Sequence, residues 1–96
     1  MELGKVAGQV VATVRAQGLP HNSLLLVEIL DSSGKPTGES HVALDPIGAG
    51  EGEWVILVRG SSARKVVGDG SPLDLAIVGI VDQVSSKAKT LYRKNG

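Results

Sequence analysis

Five segments rich in Val, Leu and Ile, separated by stretches with Gly, Pro, Asp or Ser, take up nearly half of this chain and commit it to a β fold. The first, residues 5–16 (KVAGQVVATVRA), sets Val6, Gly8, Val10, Ala12 and Val14 on one face. Lys5, Gln9, Thr13 and Arg15 take the other, with Ala7 and Val11 among them. Gly8 within so long a strand predicts a bend or bulge, the usual device for wrapping a strand round a small barrel. A turn through Leu19, Pro20, His21 and Asn22 leads to strand two at 24–30 (LLLVEIL). The turn residues 31–35 (DSSGK) join it to an antiparallel third strand at 39–44 (ESHVAL). A glycine-rich loop at 45–52 (DPIGAGEG) precedes strand four at 53–59. Residues 61–65 (SSARK) read as a short helical turn with a serine cap, and 66–72 as loop. Strand five, 75–84, is apolar on both faces, so it is buried on both or lies at an interface.

Five strands and one helical element fit an all-β, five-stranded OB-like Greek-key barrel. With 96 residues the chain makes one domain, and it buries only about two thirds of the surface of its unfolded form. It has no cysteine and only two aromatics, so stability must come from small aliphatic side chains or from partner subunits. Ten basic residues against ten acidic ones give zero net charge, which argues against a nucleic-acid binder held by phosphate contacts. The first residues lack the pattern of a secretory signal, and the apolar run 75–81 is far shorter than the roughly 20 residues of a spanning helix. A soluble, intracellular protein without a membrane partner is expected. Beyond Asp82 the charges are all basic, and 85–96 reads as a solvated basic C-terminal tail.

Chemistry is poorly supplied. Gly48-Ala49-Gly50-Glu51-Gly52 looks like a phosphate-cradling loop, but a strand follows it where a dinucleotide site needs a helix, and Glu51 and Glu53 would repel phosphate. Its glycines are better explained by positive-φ turns or close backbone approach. Ser62 and Lys65 have the S-x-x-K spacing of acyl-transfer enzymes without the other parts such enzymes need. His21 falls in a turn and His41 on the outer face of its strand, alternating with Val42; no third ligand stands at metal spacing, so neither metal nor cofactor is expected. Asp45, Asp74 and Asp82 close elements, where caps and turn bonds are their usual work.

Four stretches together resemble the vertex proteins of bacterial microcompartment shells: LGKVAGQVVATVR at 3–15, LLLVEILD at 24–31, VALDPIGAGEGEWVILVRGSSAR at 42–64 and PLDLAIVGIVD at 72–82. GLPHNSLLLVEILD and GEWVILVRGSSAR are closer to the ethanolamine-utilisation branch than to the carboxysome branch. The resemblance implies a structural protein and no enzyme. It implies homo-pentameric rings, with a hexamer open, that cap the vertices of a metabolosome-type shell in the cytoplasm, beside flat facets of hexameric shell proteins. It also puts Gly48, Ala49 and Gly50 at the central pore and Ser61, Ser62, Ala63 and Arg64 near the subunit boundary. A ring joins one patch of each copy to a different patch of the next, and the outer faces of strands one and five are apolar enough to serve. Two other readings compete with this one. One is an OB module binding single-stranded nucleic acid or oligosaccharide, which needs exposed aromatics in a basic groove. The other is a small enzyme using Ser62 or an aspartate dyad.

Overall fold

Five strands close into a barrel in the computed structural model, which describes residues 1–19, 23–67 and 73–94. They are β1 (Glu2–Val10), β2 (Ser23–Leu30), β3 (Pro36–Asp45), β4 (Trp54–Arg59) and β5 (Leu75–Ile80), with the helix α1 (Gly60–Val67) between the last two. The order is β1-β2-β3-β5-β4, and β4 returns to β1. All pairings are antiparallel except β3 with β5. This is the expected OB-like arrangement, which leaves no free sheet edge in the barrel.

Inward positions of all five strands supply the core. Val6, Leu25, Val27, Ala43, Leu57 and Ile77 belong to one cluster, each 6 % exposed or less. At about 1.5–3 kcal/mol for each fully buried large aliphatic side chain, this cluster is the main source of cohesion. The register of β1 on β2 shifts between Val6 and Gly8, which places the expected bulge. Helix α1 closes the barrel flank, with Ala63 buried against Val58 and Ala76. Gly60 enters the helix at φ 63° and donates its N–H to Asp74 O at 2.8 Å. The outer side of early β5 is therefore covered by the chain's own helix.

Three readings of the sequence change. Strand one begins earlier and ends at Val10, because residues 2–5 pair with β4 whereas the pairing with β2 runs out at Leu24. Val11 and Val14 are left 78 % and 92 % exposed. His41 and Val42 exchange faces: His41 pairs with the fully buried Val27 and turns inward to half-burial, while Val42 pairs with Leu26 and faces out. The strand expected over 75–84 breaks after Ile80, and a hairpin, β6 (Gln83–Ser86) and β7 (Lys89–Arg93), runs through the segment read as a tail. Tyr92 stacks on Trp54 with ring centroids 4.4 Å apart and planes 12° from parallel. Leu30, Val81 and Val84 complete that second cluster. Expectations for Pro20, His21 and Asn22 and for 68–72 lie outside the described residues.

Candidate functional site

The connection from β3 to β4 is shaped by two carboxylates. Asp45, ending β3, is 5 % exposed. Its Oδ1 accepts the N–H groups of Ile47 (3.1 Å) and Gly48 (2.9 Å), and its Oδ2 accepts that of Ala49 (2.7 Å). Glu53 finishes the row: its Oε1 accepts the Gly50 N–H, and its own N–H returns to Gly50 O at 3.1 Å. Four consecutive amides are thus spent on the chain's own carboxylates. An anion arriving at this loop finds the amides of residues 47–50 already taken, so the phosphate-cradle reading loses its donors there as well as failing on charge. Gly48 holds φ 93°, a conformation side-chain-bearing residues rarely adopt. Gly52 N–H to Val6 O (2.8 Å) and Val6 N–H to Glu53 O (2.9 Å) tie the loop to β1. Beneath it opens a cavity of about 310 Å³ lined by Val6, Gln9, Ser23, Asp45 and Glu51 with residues 48–50.

Glu53 is held from its other oxygen too, with Lys94 Nζ 2.8 Å from Oε2. The Lys94 ammonium, seconded by the Gly50 N–H, keeps the Glu53 carboxyl below its ordinary value, and Glu53 in turn raises Lys94. Glu53 stands beside this loop in the sequence, but its pairing with Lys94 was not visible there. No local spacing links two residues that far apart, and only the terminal hairpin brings Lys94 back.

The second candidate, 61–64, lies in α1 on the far side of β4. Ser61 and Ser62 are exposed, and among the described residues neither side chain makes the expected capping bond nor meets Lys65. Ala63 is wholly buried inside its own chain, so its methyl packs the helix and is not on offer to a neighbour. Arg64 donates from Nη1 to Leu73 O at 3.2 Å. Nearby, a shallow groove is lined by Leu19, Leu24, Val42, Leu73 and Leu75. The cross-strand pair Leu26 and Val42, 38 % and 49 % exposed, adds to the apolar outer surface of β2 and β3. At another edge Arg59 pairs with Glu2, which lowers the Glu2 carboxyl and raises Arg59. His41 Nε2 lies 3.5 Å from Glu39 Oε1. No group of three metal-binding side chains occurs among the described residues, and no helix there is long and apolar enough to cross a membrane.

Comparison with known proteins decides the family. Residues 1–82 match the model described as ethanolamine utilisation protein EutN/carboxysome. The chain belongs to this family. A bacterial microcompartment shell vertex protein EutN from Salmonella typhimurium is 53 % identical over 95 residues, 98 % of this chain and 96 % of its own. The carboxysome shell vertex protein CcmL of Synechocystis is 47 % identical over 98 % of this chain and 95 % of its own. The structure described as the GrpN pentameric microcompartment shell protein from Rhodospirillum rubrum superposes with a TM-score of 0.81 at 45 % identity, over 90 % of this chain and all of that one. The EutN/CcmL family is one of structural shell vertex proteins and not of enzymes.

Proposed function

We propose that copies of this chain form pentameric rings that occupy the vertices of a bacterial microcompartment shell in the cytoplasm, beside hexameric shell proteins that tile its facets. The observation that carries the reading is the near-full-length likeness to shell vertex proteins, a pentameric shell protein among them. The chain's own surface agrees with it. Leu26, Val42 and the groove beside Leu73 are apolar surface that a lone barrel leaves in water, and a neighbouring copy would cover it. A sheet of hexagonal tiles closes only where five-fold positions interrupt it, so the ring's work is geometric.

Gly48, Ala49 and Gly50 stand at the ring axis in this reading, where small residues let five copies approach. Ser61, Ser62 and Arg64 meet the next subunit, and Ala63 holds their helix in place from within. The alternative of an OB module for nucleic acid or oligosaccharide loses its main support, since Trp54 is buried and Tyr92, the chain's other aromatic, is stacked on it. Light scattering on the purified protein tests the ring: a single species near five times 9.9 kDa is expected. Ala49→Trp should weaken that species while the subunit stays folded. A clean monomer at micromolar concentration rejects the ring, and an undisturbed Ala49→Trp pentamer rejects the axial placement of the loop.

A further inference from the structure

The terminal hairpin lies beyond the residues matched by the family model, yet Lys94, the residue after it, reaches Glu53 beside the loop read above as axial. Lys94 is fixed at both ends, its N–H on Asp82 O at 2.8 Å and its ammonium on Glu53 Oε2. The hairpin is seated beside the same residue, since Tyr92 stacks on Trp54 and its hydroxyl accepts the Trp54 N–H at 3.4 Å. Glu53 therefore stands between two clients, the hairpin through one oxygen and Gly50 through the other. Its side chain is 20 % exposed, and the Lys94 ammonium holds one carboxylate oxygen while the other faces the Gly50 N–H. Residues 47–49 differ in that buried Asp45, ending a barrel strand, holds them with no contribution from the hairpin.

We propose that the C-terminal hairpin sets the conformation of the axial loop at Gly50, with Lys94 and Glu53 as the positioning residues that carry the coupling. The proposal rests on the axial reading of residues 48–50. It makes the opening at the centre of the ring depend on a segment outside the barrel: docked, the hairpin draws Gly50 back toward β4, and released, it leaves that one amide free to turn toward the axis.

Amide exchange of Gly48, Ala49 and Gly50, followed by NMR on the assembled protein, tests the coupling. Lys94→Met should speed exchange at Gly50 by about tenfold, the size expected when one charge-assisted hydrogen bond is weakened, and leave Gly48 and Ala49 unchanged. Glu53→Gln should do the same, and adding Lys94→Met to it should change nothing more, because the two act along one path. Lys94→Arg, which keeps a cation in place, should retain slow exchange. Unaltered exchange at Gly50 in Lys94→Met overturns the proposal. Equal acceleration of all three amides, or the same acceleration by Lys89→Met, overturns it too, since each means general loosening. The axial reading is tested separately by oxidative cross-linking of Ala49→Cys in a chain that has no other cysteine. Cross-links between copies place the loop at the axis whatever Gly50 does, and their absence removes the axis while leaving the exchange result to stand by itself.

Discussion

Asp45 and Glu53 show how two acidic side chains take over what a ligand does in other glycine-rich loops. Removing Asp45 leaves three N–H groups in a partly closed site without an acceptor, and each such group costs about 1–3 kcal/mol when water cannot replace the bond in full. Asp45→Ala is therefore expected to lower unfolding stability by about 3 kcal/mol in urea titration, with Asp45→Asn between it and the parent. A loss below experimental error would mean that water solvates those amides freely. Glu53 answers to pH instead. Its carboxyl titrates below the ordinary 4.5 in the folded chain, so its contribution is complete above that value and is lost as pH falls through the lowered one. Lys94 titrates above its ordinary 10.5, so the pair's contribution is complete between these two limits. Melting temperatures of the parent and of Glu53→Gln should differ at neutral pH and converge in acid. A gap that widens on acidification would reverse the assigned sign. Asp45 at the end of a strand was legible in the sequence as a turn-maker. The part Glu53 plays was not, because its two partners are a backbone amide and a lysine from the opposite end of the chain.

Among the elements, those whose faces are decided by burial were readable and those decided by pairing were not. β2 and β4 sit where their aliphatic runs put them, and the bulge in β1 falls beside the glycine that announced it. β1 stops at Val10 although Val11, Thr13 and Val14 have ample β propensity, because among the described residues no strand pairs with them. His41 faces inward because Leu25 and Val27 set the register of β3, a constraint absent from ESHVAL itself. The hairpin β6–β7 escaped notice for a local reason. Its turn is made by Lys87 and Ala88, both at positive φ, in place of the Asn-Gly pair that marks such turns in a sequence. Its anchor, Tyr92, is recognisable only once Trp54 is known to wait at the barrel end. Tyr92→Ala should detach it at a cost of about 2 kcal/mol, shift the emission of the single tryptophan to the red and leave the β-sheet circular dichroism of the barrel intact. An unchanged Trp54 spectrum would show that the hairpin does not cover the indole.

As a whole molecule, the chain joins a closed barrel to an outer surface that stays partly apolar and a loop in which four successive amides are bonded to the chain's own carboxylates. Nothing in that combination requires a substrate, and all of it suits a tile. Zero net charge, no cysteine and only two aromatics already limited the chemistry open to the chain, and it was the resemblance to vertex proteins that implied a structural protein before the fold was known. Membership of the EutN/CcmL family then supplies the shell. The most direct test is electron cryomicroscopy of shells assembled by co-expressing this chain with a hexameric shell protein of its own microcompartment. Closed polyhedra with a five-fold ring of this barrel at each vertex are expected, and open tubes or sheets when the chain is left out. Shells that close without it, or that carry it in their facets, would rule out the vertex role.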